Sequence, residues 1–79
     1  TYEGNGDDMV LFIQQEPDVA TIRGNAEGHY FGVFSWGGYG KDLLVNTTDP
    51  YEGKKILKEG TLSLEVIAEG PWTIEVTER

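Results

Sequence analysis

The sequence predicts an all-β protein: a single antiparallel β-sandwich of seven to eight short strands with Greek-key or jelly-roll-like connections. Three observations carry this. Leu62, Leu64, Val66 and Ala68 share one parity, and after Gly70-Pro71 so do Trp72, Ile74 and Val76, with Thr73, Glu75 and Thr77 between them. Side chains of a strand point alternately to its two faces, so this is the pattern of two half-buried strands joined by a short turn. Eleven glycines and three prolines divide the rest of the chain into short apolar runs about ten residues apart, the spacing of a sandwich or barrel. No segment sustains a helical period. Residues 51–59 come nearest, with Lys54, Lys55 and Lys58 around Ile56 and Leu57, but Gly53 and Gly60 leave room for about a turn and a half.

Strands are expected near residues 8–14, 19–24, 29–36, 42–47, 54–57, 61–69 and 72–78. The first, Met9 to Ile13, is apolar on both parities, as for a central strand covered on both sides. Gly4-Asn5-Gly6 precedes it, and Glu16-Pro17-Asp18 separates it from the second. Asn25 to Gly28, Gly37-Gly38-Tyr39-Gly40, Thr48-Asp49-Pro50 and Glu59-Gly60 supply the later breaks. In each, glycine reaches positive φ, proline presets φ, or Asn and Asp bond to their own backbone.

Residues 29–36 are the consequential segment. One parity holds Phe31, Val33 and Ser35; the other holds Tyr30, Gly32, Phe34 and Trp36, and only one can enter a two-layer core. With the first parity inward, the expected core is Val10, Phe12, Ile22, Phe31, Val33, Leu43, Val45, Leu62, Leu64, Val66, Trp72, Ile74 and Val76. Trp72, directly after Gly70-Pro71, is expected to plug one end of the sandwich.

Seventy-nine residues make one domain, which buries only roughly 60–65% of its unfolded surface. The absence of cysteine removes disulfides and thiolate metal sites. Fourteen acidic residues against six basic ones give a formal charge of −8, a field that repels phosphate backbones and anionic lipids, so neither nucleic acid nor a membrane surface is an expected partner. No stretch approaches the ~20 apolar residues of a spanning helix. The chain begins at Thr1, which points to a piece processed or excised from a longer chain.

Catalytic signals are sparse. His29 is the single histidine, Ser35 and Ser63 are the only serines, and neither lies in an elbow motif. The expectation is a protein that is not an enzyme. Asn5, Asp7 and Asp8 concentrate oxygen ligands in a glycine-rich turn, which suits a hard cation such as Ca²⁺ and equally suits an ordinary acidic turn. Asp49 and Glu52, around Pro50-Tyr51, form a lesser carboxylate pair, and Asn46-Thr47-Thr48 satisfies the glycosylation sequon. The main candidates are aromatic. With Phe31 and Val33 inward, Tyr30, Phe34 and Trp36 form a row on the outer face, with Tyr39 in the turn beyond. Such rows stack on sugar rings or anchor protein contacts. The opposite parity would make Phe34 and Trp36 plain core.

The succession Gly6-Asp7-Asp8-Met9-Val10, Gly24-Asn25 with Phe31-x-Val33, Asp42-Leu-Leu-Val-Asn46, Pro50-Tyr51-x-Gly53 and Leu64-x-Val66-x-Ala68-x-Gly70-Pro71-Trp72-Thr73-Ile74 resembles a small β-sandwich domain of bacterial secreted proteins and lipoproteins, especially of Gram-positive type. The resemblance covers nearly the whole chain. It implies an extracytoplasmic setting and an accessory role, offers no catalytic residues to carry over, and its regular Phe-x-Val pairing favours Phe31 and Val33 as core. The expectation is therefore a non-catalytic binding or accessory module of a surface or secreted protein, with a protein or glycan ligand held by Tyr30, Phe34, Trp36 and Tyr39. A Ca²⁺-dependent carbohydrate-binding module using Asn5, Asp7 and Asp8 is one alternative. The other is a spacer or self-assembly domain, monomeric or weakly self-associating.

Overall fold

The computed structural model describes residues 1–79. Eight strands follow in order: β1 (Tyr2–Asn5), β2 (Asp8–Leu11), β3 (Pro17–Gly24), β4 (Phe31–Gly37), β5 (Gly40–Thr47), β6 (Tyr51–Ile56), β7 (Thr61–Ile67) and β8 (Pro71–Glu78). They form two antiparallel four-stranded sheets, ordered β1-β8-β3-β6 and β2-β7-β4-β5. The pairs β1–β8, β2–β7, β3–β6 and β4–β5 nest as one long hairpin whose tip is the turn after Gly37. Rolling that hairpin puts alternate pairs in opposite sheets and adds the β3–β8 and β4–β7 ladders, which is the eight-stranded jelly roll. Sheet order makes β4–β5 the sole hairpin between consecutive strands. The two C-terminal strands are joined by a short turn, as expected, yet lie in different sheets.

The core lies between the sheets. Ala20, Ile22, Phe31, Val33, Leu57, Leu64 and Ile74 are fully buried, with Val10, Phe12, Val45, Val66, Ala68 and Trp72 nearly so. Tyr2, Leu44, Tyr51 and Val76 pack against this cluster from its margins. Two expected core residues are corrected. Leu43 is 51% exposed and Leu62 is 62% exposed. Both errors arise at β-bulges, where one extra residue resets the alternation. Opposite Val33 and Phe34, β5 presents Val45 and then Leu43, so Leu44 is skipped and Leu43 turns outward. Opposite Trp36 and Gly37, β7 presents Ser63 and then Thr61, so Leu62 is skipped and Thr61 takes the buried position.

The ends of the sandwich are closed by single side chains. Trp72 is the expected plug: its indole Nε1–H donates to the Gly6 carbonyl at 2.9 Å, and its ring lies against the Gly4 backbone. Leu57, beyond the last paired residue of β6, seals the opposite end, held by its amide to the Asp18 carbonyl at 2.7 Å and by Arg79 on its own carbonyl. Asn25, at φ 64°, is buried and donates through Nδ2 to the carbonyls of His29 and Asp49, tying the β3–β4 connection to the β5–β6 turn.

Because the Trp72 ring occupies the space where a Gly4 side chain would begin, Gly4→Ala is expected to lower stability by about 2 kcal/mol, read by denaturant unfolding. An unchanged midpoint would show that the ring is not seated on Gly4.

Candidate functional site

Strand β4 runs between β7 and β5, so its two faces belong to different worlds. Phe31, Val33 and Ser35 are all fully buried on the inner face. Gly32, Phe34 and Trp36 therefore point outward, and cross-strand pairing extends them into three rows. Met9 faces Glu65, Phe34 and Leu43; Leu11 faces Ser63, Trp36 and Lys41; Ile67 faces Gly32 and Asn46. Met9, Leu11, Trp36 and Leu43 are exposed and Phe34 and Ile67 half-buried, so the rows make one continuous apolar face across the sheet.

The aromatic side chains are fixed in place. Lys41 Nζ lies 4.2 Å from the Phe34 ring centroid and 5.1 Å from that of Trp36, within cation–π range. The Trp36 indole N–H donates to Glu65 Oε1 at 3.0 Å, and the same oxygen is 3.7 Å from Lys41 Nζ. Each contact is worth about 0.5–1 kcal/mol at such exposure. Together they pin the Trp36 edge and leave a face with one carboxylate and one ammonium, already paired. Tyr30 joins the row by a different route. It precedes β4, and its ring folds over Gly32, where a Cβ would come within 2.6 Å of the phenol oxygen. The missing side chain of Gly32 is replaced by an aromatic ring.

Tyr30, Phe34 and Trp36 thus share the outer face, whereas Tyr39 does not. The turn after Gly37 carries Tyr39 back toward the interior, where its hydroxyl is 2.8 Å from both Ser35 Oγ and Thr61 Oγ1. Thr61 Oγ1 donates in turn to the Lys58 carbonyl at 2.6 Å. Tyr39 closes the sandwich at the hairpin tip, satisfying two buried hydroxyls that would otherwise lose their water partners.

The Ca²⁺ candidates Asn5, Asp7 and Asp8 have local structural partners. Asp7 Oδ1 accepts from the Ala68 amide at 2.9 Å, alongside the Gly6 amide to Gly70 carbonyl bond at 3.1 Å, so Asp7 joins the β1–β2 turn to the β7–β8 turn. Asp8 Oδ1 accepts from the Met9 amide at 2.7 Å, and Asn5 sits in the ladder opposite Pro71. No three histidine or carboxylate side chains converge as a cation site. Glu52 is bonded to Arg23 and the Thr47 hydroxyl to the Asp49 amide, both as local structure.

Two further features were not anticipated. His29 stands between two carboxylates, Nε2 at 3.7 Å from Glu27 and Nδ1 at 3.9 Å from Glu69. The acids lie on different ring nitrogens, so they do not form one ligand set. The largest concavity, about 580 Å³ and wide open, crosses one end of the β1-β8-β3-β6 sheet where Gly4 and Gly24 leave bare backbone between the Arg23–Glu52 pair and Pro50 and Pro71. Its sequence signal was the pair of glycines that face Trp72 across the ladder.

The outer face of that other sheet is the useful contrast. Its rows are Glu3, Thr73, Arg23 and Glu52, then Glu75, Thr21 and Lys54, then Thr77, Val19 and Ile56. The molecule is an eight-stranded antiparallel sandwich with one polar outer face and one apolar one. Comparison with protein-family models, with curated proteins and with solved structures finds no match to this chain.

If Trp36 stands on the surface and Phe31 in the core, truncating them has unequal effects. Trp36→Ser is expected to cost about 1–2 kcal/mol and Phe31→Ala about 3–5 kcal/mol, by chemical denaturation. Equal costs would overturn this assignment.

Proposed function

We propose that the chain is a non-catalytic binding or accessory module whose contact surface is the outer face of the β2-β7-β4-β5 sheet. The observation that carries this is the alignment of Tyr30, Phe34 and Trp36 along the outside of β4, flanked by exposed Met9, Leu11 and Leu43. A contiguous apolar patch of this kind on a small protein marks an interaction site. Pinned aromatics suit that role because little rotamer freedom is lost when they are covered.

Protein contact fits the face better than glycan stacking. The ammonium of Lys41 already occupies the neighbourhood of both rings, and the exposed side chains beside it and Glu65 are the apolar Met9, Leu11 and Leu43. A sugar platform needs hydrogen-bonding groups around its rings, and the one carboxylate here is engaged with Trp36 and Lys41. The reading is non-catalytic because no nucleophile is assembled with a base: Ser35 is buried against Tyr39, and His29 faces only Glu27 and Glu69. The resemblance to small sandwich domains of secreted bacterial proteins supports an extracytoplasmic setting.

Titrating the ¹⁵N-labelled chain with isopropanol, a generic apolar probe, tests the reading by NMR. Amide shifts are expected to cluster on Met9, Leu11, Phe34, Trp36 and Leu43. Shifts clustered instead in the concavity by Gly4 and Gly24, or spread evenly, would refute it.

A further inference from the structure

We infer that the partner of this apolar face is a second copy of the same chain, stacked sheet to sheet about a two-fold axis. The inference rests on the reading of that face as a contact surface and goes beyond it by naming the occupant. Three observations converge on it.

The first is the placement of charge. Each copy carries −8, which opposes association wherever acids meet. The three rows of this face hold only Lys41 and Glu65, already paired within the copy. Asp8 and Asp42, on β2 and β5 of the same sheet, pair with the buried Val66 and Ser35 and so share the inner-face register; Glu3, Glu52 and Glu75 lie on the opposite face and Glu27 and Glu69 beside His29 at one end. The shortest principal extent of the molecule is 18 Å, so stacking here sets the two opposite outer faces, with their mixed charges, apart by several times the Debye length of about 8 Å at physiological salt. On this face two such chains meet with only the paired Lys41 and Glu65 on each side, and a neutral face offers no charge complementarity to a basic partner.

The second is the state of the sheet edges, which are blunted against strand-to-strand pairing. β1 and β2 are four residues long, and β5 is bulged at Leu44. On β6, Lys55 stands opposite the fully buried Ala20 and so sits at an inner-face position on the rim. Face stacking is the route of association left unguarded.

The third is size. The face exposes Met9, Leu11, Trp36 and Leu43, a patch of roughly a few hundred Å², so a stacked pair would remove at most on the order of 1,000 Å² from water, the low end for a specific interface. That area fits a reversible dimer rather than an obligate one. A two-fold axis near Phe34 and Trp36 would make the contact isologous, each copy offering the same rows to the other.

Sedimentation equilibrium of the 79-residue chain, from about 10 µM to about 1 mM and at about 0.05 and 0.5 M NaCl, tests this. The weight-average mass is expected to rise from 8.8 kDa toward twice that value, and to rise at lower concentration in high salt, where repulsion between the copies is screened. Leu43→Glu, which places a carboxylate on both sides of the contact, and Trp36→Ser are each expected to weaken association at least tenfold while thermal unfolding stays cooperative. Thr21→Glu, on the opposite face, is expected to associate like the parent. A chain that stays monomeric at both salts overturns the inference, as do Leu43→Glu and Trp36→Ser variants that associate undiminished. A monomer whose isopropanol shifts still cluster on the face leaves the contact reading standing and assigns the face to a different chain; absent clustering removes the contact reading itself.

Discussion

The parity of β4 is the constraint on which the rest of the structure depends. Phe31, Val33 and Ser35 are fully buried in a strand bonded on both edges, so the strand cannot slip by one residue without exchanging its faces. Burial of Phe31 and Val33 is worth about 1.5–3 kcal/mol each, and Phe31 also meets Tyr51 at 6.4 Å between ring centroids. The inward set is chosen by volume: Phe31 fits the space left by Gly24, whose missing Cβ would lie 3.1 Å from its ring. Once that side is fixed, Phe34 and Trp36 have no place but the outside. The contact face is thus a consequence of how the core is filled.

A protein this short, without cysteine, has few ways to close its ends. Here single residues do it. Trp72 is anchored to Gly6 at one end; Leu57 and Tyr39 fill the other, Tyr39 by bonding the buried Ser35 and Thr61. No buried side-chain nitrogen or oxygen lacks a hydrogen-bond partner, so the polar groups brought inside do not work against the small core. The division of the two outer faces follows from the same economy. Aromatics placed outside on one sheet are held locally by Lys41 and Glu65, while the other sheet carries mainly Thr, Glu, Lys and Arg, with Val19 and Ile56 at one end.

Much of this was legible in the sequence, and the failures have physical causes. Glycine or proline breaks and short apolar runs locate β2 through β8, although β2, apolar on both parities as for a central strand, is a sheet edge with Met9 and Leu11 exposed; the Phe31-x-Val33 parity puts Phe34 and Trp36 outside. Strand β1 was hidden because Gly4, absent a side chain to make room for Trp72, reads as part of a turn. Leu43 and Leu62 were misplaced because a bulge shifts alternation by one residue without any local mark. Leu57 was missed because a buried residue outside the ladders obeys no period. The hydroxyl of Tyr39 and the oxygens of Asp7 and Asp8 have partners no local pattern announces, a pair of buried hydroxyls and backbone amides. Those partners are distant in the chain or supplied by the backbone, and neither is visible in composition.

Strand β4 separates an enclosed face from an open aromatic one, and the two tryptophans of the chain report both. Trp72 is 3% exposed and Trp36 is 39% exposed. Acrylamide quenching of tryptophan fluorescence at low micromolar concentration, on the parent and on Trp36→Phe, isolates each ring. Removal of Trp36 is predicted to abolish a red-shifted, freely quenched component and leave a blue-shifted, protected one. A parent whose quenchable component survives Trp36→Phe, or whose Trp36 emission is blue-shifted and protected, would place that ring in the core and contradict the account.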